Sequence, residues 1–254
     1  MNRHFPLCVA LAIGCCVPSL RASELTLTSS ATRVPLLELY TSEGCSSCPP
    51  ADRWLSALKT DPRLWREMVP VAFHVDYWDD LGWRDRYASP AHTERQTLYT
   101  QSGALSQVYT PGVVLQGHEW RNWTRGSEVP RNEPVAAGPL QLEILSATEV
   151  RVSYAPSRTS VAPLAATVAL LGFDLVSAVK RGENAGRELH HDFVVLNQTR
   201  AVLTRDGDRY RATLPLPTSQ HPAKRRAVAA WVSAGSNPAP LQSVGGWLPA
   251  AAVN

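Results

Sequence analysis

Two cysteines, Cys45 and Cys48, stand where a predicted strand is followed by a predicted helix. The apolar run VPLLELY at 34–40 precedes them, and residues 51–59 carry apolar side chains at helical spacing. Pro49 and Pro50, which directly follow Cys48, fit the first turn of a helix, where a missing N–H costs little. The sequence therefore predicts a CxxC pair at a helix N-terminus, where the dipole and free N–H groups stabilise a thiolate.

This arrangement suits thiol–disulfide chemistry. Cys45, expected at the exposed edge of the helix, would attack a partner disulfide as the thiolate, and Cys48 would resolve the mixed disulfide. Two other interpretations stay open. Cys45 and Cys48 with His74 could form a metal site, for example for copper delivery, although a zinc-type site needs two ligands beyond the cysteine pair. A purely structural disulfide would close so short a loop that it stabilises little.

The N-terminus has the layout of a secretory signal peptide at 1–22. Arg3 and His4 precede an uncharged apolar stretch, and Ala22 stands before a possible cleavage site. In a competing interpretation, the preceding residues form a lipoprotein box and Cys15 is acylated. Either route exports the chain to the periplasm or beyond, where disulfides persist.

Composition narrows the expected partners. Hydrophobic residues make up 44% and charged residues 19% of the chain, which is typical of a globular protein. Removal of 1–22 would leave 23 basic and 22 acidic residues, so the surface would be nearly neutral and a nucleic-acid partner is not expected. No later apolar run is long enough to span a bilayer. We expect protein thiols or disulfides as partners, and no cofactor.

The order of predicted elements indicates two regions and a tail. Residues 34–130 alternate strands and helices, which predicts an α/β sheet. Residues 138–235 contain short alternating segments with turn residues between them, which predicts a β-rich, sandwich-like domain or an extension of the first one. The tail 236–254 is rich in proline and glycine and is expected to be irregular.

Other residues qualify as candidates for the site. Glu38 lies in the apolar strand that leads to the cysteines, and a buried carboxylate there could accept the proton of the resolving thiol. It could equally form a structural salt bridge. His74 and Asp76 share one side of a strand end, and the GENAGRELHH segment at 182–191 predicts a hairpin loop with a role at the interface between the regions.

Several stretches together resemble a secreted bacterial family known as domain of unknown function 1223. They are LELYTSEGCSSCPPAD (37–52), FHVDYWDDLGWRD (73–85), SPAHTERQTLY (89–99), YTPGVVLQG (109–117) and GENAGRELHH (182–191). The resemblance implies a thioredoxin-like fold for 34–130, with Cys45 and Cys48 at the redox position. It also implies a cis-proline at Pro111, with Thr110 binding an extended substrate.

The sequence departs from true thioredoxins in three respects. No tryptophan precedes Cys45, Ser46 and Ser47 replace the usual dipeptide between the cysteines, and the acidic residue of the preceding strand, Glu38, is one position off. These departures affect the expected reductase activity rather than the thiol chemistry.

Overall fold

Strands, rather than helices, form most of the regular structure. The computed structural model describes residues 25–125, 128–131 and 134–249, so the predicted signal peptide at 1–22, with Cys15, lies outside the described residues. The described strands are β1 (Thr26–Thr28), β2 (Leu36–Thr41), β3 (Val69–His74), β4 (Gly112–Leu115), β5 (His118–Glu119), β6 (Leu140–Ile144), β7 (Glu149–Tyr154), β8 (Leu164–Phe173), β9 (Leu175–Ala178), β10 (Glu188–His191), β11 (Val194–Val202), β12 (Thr204–Asp206), β13 (Arg209–Pro215), β14 (Arg225–Ala234) and β15 (Pro240–Trp247).

Helices are few in the described part of the chain. The two α-helices are α1 (Pro49–Ala57) and α2 (Pro90–Gln101), and short 3-10 turns cover Leu58–Thr60 and Asn122–Arg125. Each α-helix begins with a proline, whose fixed φ suits the first turn. None of the helices in these described ranges is long and apolar enough to cross a membrane.

One sheet joins both predicted regions. Its eight strands lie in the order β15-β14-β8-β11-β3-β2-β4-β5. The join is the parallel pairing of β11 with β3, where Val194 is opposite Ala72 and the Ala72 N–H donates to Phe193 O at 2.8 Å. The predicted segments 34–130 and 138–235 therefore contribute to one continuous mixed sheet, and the second extends the first.

The predicted fold class is wrong. An α/β fold with a thioredoxin-like domain followed by a sandwich-like β-rich region does not describe a chain with fifteen strands and two α-helices in its described part, arranged in large mixed sheets. The reason is strand pairing over long sequence separation. Hydrophobic periodicity shows that β3 is buried. It does not show which strand pairs with the edge of β3 opposite β2, and in the structure that strand is β11.

The prediction of an irregular tail at 236–254 is also wrong for Pro240–Trp247. These residues form β15, which pairs antiparallel with β14 from Ala227 opposite Trp247 to Ser233 opposite Pro240. Gly245 and Gly246 within β15 suggested a break. In the structure they leave room for neighbouring side chains, because a Cβ at Gly245 would lie 2.5 Å from the Trp65 ring.

A second sheet covers one half of the first. It has the order β1-β6-β7-β13-β12, and its inner face packs on β8, β14 and β15. Alternation along β14 sends Val228, Ala230 and Val232 into this core, whereas Trp231 points to the opposite face of the eight-stranded sheet. Both faces of β14 are therefore buried, which explains its nearly continuous apolar run.

The two α-helices lie on opposite faces of β2. Thr41 faces α1, since its hydroxyl donates to Asp52 Oδ1 at 2.9 Å, whereas Glu38 faces α2 and pairs with Arg95. Strand alternation requires this separation, because residues 38 and 41 differ by an odd number of positions. The cysteines lie at the start of α1, so the candidate site lies on the face of β2 that α1 covers.

The hairpin β9–β10 forms a small sheet of its own beside α1. Leu175 is opposite His191 and Ala178 is opposite Glu188, and a loop at 179–187 joins the strands. His191 and Leu189 are buried, whereas His190 is exposed, as the alternation of a strand predicts. The face of the hairpin that carries Leu189 and His191 is thereby turned towards the helix that carries the cysteines.

Candidate functional site

A disulfide joins Cys45 to Cys48 at the start of α1, with a Cα–Cα distance of 5.4 Å. Cys48 is the N-cap and already has helical dihedral angles, and the Asp52 N–H donates to Cys48 O at 3.1 Å. The Ser47 hydroxyl lies 3.3 Å from Cys45 Sγ. Both cysteines are 0% exposed. The expectation that Cys45 lies at an exposed edge is therefore wrong, because other parts of the chain cover the sulfurs.

The loop between β9 and β10 contacts the backbone next to Cys45. Asn184, which is fully buried, donates from Nδ2 to Glu43 O and to Cys45 O, both at 2.9 Å. Beside it, the Ser46 N–H donates to Glu183 Oε2 at 3.0 Å. The tip of the hairpin thus binds the backbone on both sides of Cys45 and fixes the conformation of the CxxC loop.

Trp78 links the CxxC loop to the proline loop. A Cβ on Gly44 would lie 3.0 Å from Trp78 Cβ, so the tryptophan packs directly on the backbone before Cys45. Its indole Nε1 donates to Thr110 Oγ1 at 2.8 Å. The Thr110–Pro111 peptide bond is cis. The structure therefore brings the predicted Thr110 and Pro111 to the same side of the molecule as the cysteines.

A buried cluster of ionisable side chains lies under the CxxC loop. It consists of Glu43, Asp52, His74, Asp85 and His191, all at most 6% exposed. His74 Nδ1 is 2.6 Å from Asp85 Oδ2, and the ring planes of His74 and His191 meet edge to face with centroids 4.9 Å apart. His191 in turn lies between two carboxylates, 3.5 Å from Glu43 Oε1 and 3.8 Å from Asp52 Oδ2.

Charge pairing inside the cluster shifts several pKa values. Burial lowers the pKa of His74, but the adjacent Asp85 carboxylate outweighs burial and raises it to about 9. Burial opposes ionisation of Asp85, yet the His74 imidazolium brings the pKa of this carboxyl to about 2. His74 and Asp85 therefore form a charged pair at neutral pH, held further by the N–H groups of Glu43 and Tyr87.

The two remaining carboxyls differ from one another. Burial raises the pKa of Asp52 above its ordinary value. Burial would also raise that of Glu43, but the His191 ring and the Ser177 and Trp83 side chains outweigh it, so the pKa of Glu43 is lowered. The Trp83 indole donates to Glu43 Oε2 at 2.7 Å. Asp52 is thus the member of the cluster whose environment most favours a protonated carboxyl.

Glu38 lies on the other face of β2, away from the cysteines. Arg95 binds both of its oxygens, at 2.7 and 2.9 Å, and the hydroxyls of Tyr40 and Tyr99 donate to it at 2.8 and 2.6 Å. None of its hydrogen-bond partners belongs to the CxxC loop. These contacts are those of the structural salt bridge that the sequence left open, rather than those of a proton relay.

Comparison with known proteins gives a family. A family model described as "Protein of unknown function (DUF1223)" matches residues 36–233. The chain belongs to the DUF1223 family. This confirms the resemblance found from the motifs, and no curated protein matches this DUF1223 protein.

Two solved structures share the fold of the DUF1223 protein. Protein AGR_C_4864 from Agrobacterium tumefaciens has a TM-score of 0.59 at 22% identity, over 85% of this chain and 95% of that one. HBP35 of Porphyromonas gingivalis has a TM-score of 0.56 at 14% identity, over 87% of this chain and 76% of that one. At these identities the likeness concerns the fold alone.

The described part of the DUF1223 protein contains no ligand set for the metal site that the sequence left open. Within residues 25–125, 128–131 and 134–249, no group of three or more His, Cys, Asp or Glu side chains has an arrangement that could hold a metal ion. Cys45 and Cys48 bond to each other, and His74 turns Nδ1 to Asp85. The predicted triad of Cys45, Cys48 and His74 is therefore not an assembled site in this state.

Sequence reasoning missed four members of the site, namely Glu43, Asp52, Asp85 and Asn184. His74 was paired with Asp76, but its partner is Asp85, eleven positions later; Asp76 accepts from Thr93 instead. Asp52 was assigned only to a helix, and Asn184 only to a turn. The usable signal was spacing: Asp52 follows Cys48 by four residues and so lies on the same face of α1.

Proposed function

We propose that this protein is an exported thiol–disulfide oxidoreductase that uses the Cys45–Cys48 pair. The observation that carries the proposal is the disulfide at the N-terminus of α1, formed by the two cysteines that residues 25–125, 128–131 and 134–249 contain. Export to an oxidising compartment, through the segment at 1–22, belongs to the proposal. The partial positive charge at the helix N-terminus supports a thiolate at this position.

The exchange conserves atoms and electrons. A thiolate of a partner protein attacks Cys45 Sγ; a new S–S bond forms, the Cys45–Cys48 bond breaks, and its electron pair stays on Cys48 Sγ, which takes up a proton. A second partner thiolate then attacks the partner sulfur and releases Cys45 as a thiolate. The partner is oxidised by two electrons and the pair is reduced. In the reverse sequence, the Cys45 thiolate attacks a partner disulfide, the partner is reduced and the Cys45–Cys48 disulfide forms again.

A partner must reach Cys45 along the side formed by Trp78 and the proline loop. Ser46 and Ser47 are exposed next to the buried sulfurs. Thr110, bonded to Trp78, lies with Pro111 where an extended segment of a partner would pass. Because both cysteines are buried and Asn184 and Glu183 hold the backbone around Cys45, we expect the β9–β10 loop to open before attack.

The test is the reduction potential of the pair. The protein is equilibrated in glutathione buffers, free thiols are alkylated, and the mass shift gives the reduced fraction. A potential between about −270 and −120 mV is expected for an exchange-active pair. The Cys48→Ser variant, which cannot close the disulfide, is the control for alkylation of Cys45.

A pair that stays oxidised below about −300 mV would behave as a structural disulfide and would contradict the proposal. Turnover of a fluorescent disulfide substrate by the wild-type protein, absent in Cys45→Ser, would complete the positive case.

A further inference from the structure

The proposed exchange requires a proton for Cys48, and Asp52 supplies a buried carboxyl on the same helix. It follows Cys48 by one helical turn, and residues four apart lie side by side on a helix, with about 5–6 Å between Cβ atoms. Both side chains face inward, since Cys48 is 0% and Asp52 is 6% exposed. A thiolate released at Cys48 would therefore form in a buried setting with a carboxyl as its neighbour.

The surroundings of Asp52 leave one oxygen available. Oδ1 accepts from the Thr41 hydroxyl at 2.9 Å. Oδ2 has a single ionisable neighbour at contact range, His191 Nδ1 at 3.8 Å, which is too long for a hydrogen bond. Both ring nitrogens of His191 are buried without a hydrogen-bond partner in the described structure. Buried polar atoms normally find partners, so the unpartnered ring of His191 distinguishes this side of Asp52 from the rest of the core.

A route to solvent starts at the same carboxyl. A cavity of about 80 Å³ lies between α1 and β10, and Asp52 lines it together with Pro49, Arg53, Glu188 and His190. A cavity needs about 10–15 Å³ to hold one water molecule. The polar groups Glu188 and His190 are exposed at its outer side, so water in this cavity would connect Asp52 to the surface.

We infer that Asp52 exchanges the proton that Cys48 gains and loses during thiol exchange, and that His191 is a positioning residue that sets the charge around Asp52. The inference rests on the proposed function. When the Cys45–Cys48 bond breaks, the electron pair moves to Cys48 Sγ and the proton moves from the Asp52 carboxyl to that sulfur. The resulting carboxylate regains a proton from water through the cavity. In the reverse direction Asp52 takes the Cys48 proton.

The pH dependence follows from the groups that face Asp52. These are Thr41 from β2, His191 from β10, and, further away, His74 from β3 and Asp85 from the loop after it; Glu188 and His190 face it across the cavity. Burial raises the pKa of Asp52, and the two histidines oppose that shift. Proton donation is therefore strongest on the acid side of this pKa and fades as pH rises.

The experiment measures reduction of the full-length oxidised protein by excess dithiothreitol across pH. Rates are divided by the dithiothreitol thiolate concentration, which removes the titration of the reductant. For the wild type, the rate constant per thiolate is expected to fall as pH rises through the Asp52 pKa. Asp52→Asn keeps the bond from Thr41 and should lower the acid-side rate constant by about 10²-fold and remove the pH dependence.

Two further variants separate proton transfer from loosening of the hairpin. His191→Gln should move the midpoint of the profile to higher pH, because it removes a ring that opposes the raised pKa of Asp52. Asp192→Asn, next along the chain and paired with Lys59 at 2.8 Å, should leave the shape of the profile unchanged. A mere loss of packing would change the rate equally at all pH values.

The outcomes distinguish the two proposals. A pair with an exchange-active potential whose Asp52→Asn variant keeps the wild-type profile would overturn the role of Asp52 and leave the oxidoreductase proposal standing. A pair that cannot be reduced would contradict the oxidoreductase proposal itself. If Asp52→Asn fails to fold, Asp52→Ser, smaller but still polar, provides the same comparison, and near-ultraviolet circular dichroism checks both variants.

Discussion

The two faces of β2 carry two buried ionic clusters of opposite character. On the α2 face, Glu38 has both oxygens bound by Arg95 and by two tyrosine hydroxyls. On the α1 face, Glu43 Oε1, His74 Nε2 and both nitrogens of His191 lack hydrogen-bond partners in the described structure. A fully satisfied network is rigid and stabilises one arrangement, whereas buried polar atoms without partners cost free energy.

The contrast assigns different roles to groups of the same chemical type. Both clusters contain carboxylates, cations and aromatic rings in the same core. Both clusters border a cavity, lined by Arg95 on one face and by Asp52 on the other, but only the α1-side cluster adjoins the cysteines. Burial of an acid in the strand before the cysteines does not by itself place that acid beside them, because alternation puts Glu38 on the other face of β2.

The largest expected effect breaks the satisfied cluster. Arg95→Leu removes the cation and leaves Glu38 buried without its charge partner, which should reduce the free energy of unfolding by about 3–5 kcal/mol. Urea denaturation monitored by tryptophan fluorescence measures it. Arg121→Ala, which removes an exposed ion pair with Glu119, is the control and should change the free energy of unfolding much less. Equal costs for the two variants would erase the difference between a buried network and a surface pair.

A second prediction concerns the His74–Asp85 pair. Asp85→Asn should reduce the free energy of unfolding by about 1.5–3 kcal/mol near pH 6, where a charged hydrogen bond is lost. His74 has a folded pKa of about 9, above its unfolded value of about 6.5, so its contribution is complete below pH 6.5 and lost as pH rises to 9. Asp85 has a folded pKa of about 2, so its contribution is complete above pH 4 and lost as pH falls towards 2.

Denaturation of wild type and Asp85→Asn at a series of pH values measures this dependence. The difference between them should be flat from about pH 4 to 6.5 and should shrink towards pH 9. A difference that stays constant between pH 6.5 and 9 would mean that His74 is neutral in the folded protein.

A third prediction addresses the cover over the sulfurs. Asn184→Ala removes two hydrogen bonds to the backbone around Cys45, at a cost of about 1–2 kcal/mol, and should speed reduction of the disulfide roughly tenfold if loop opening limits access. Stopped-flow reduction at fixed pH measures the rate. Asn197→Ala, an exposed asparagine bonded to Thr218 O, is the control.

Glu183→Gln sharpens the same comparison with the smallest effect. Glu183 is exposed and holds only the Ser46 N–H, so its replacement should accelerate reduction less than Asn184→Ala does. If neither variant changes the reduction rate, the β9–β10 loop does not control access to Cys45.

Particular residues show where prediction from sequence succeeded. The DUF1223 motifs identified the family, and the helix after the cysteines begins at Pro49, as the consecutive prolines indicated. These features are local: they depend on residues within one helical turn or on contiguous motifs. The candidate site was located by the same local pattern.

Other assignments failed because they depend on contacts between distant segments. The pairing of β3 with β11 joins residues about 120 positions apart and turned an expected α/β domain into a mixed sheet. The histidine at 191 reaches Asp52 only because a hairpin folds back on α1. Periodicity reports that a side chain is buried, but it does not report its neighbour.

The sequence by itself determined the cysteine pair, its position at the start of a helix and the family to which the chain belongs. The tertiary structure alone decided the strand order of the sheet, the burial of Cys45 and the partners of each buried charge. The physical reason is the range of the interactions. Capping, spacing and turn chemistry act within a few residues, whereas sheet pairing and the pKa values of buried groups depend on which distant surfaces are brought together.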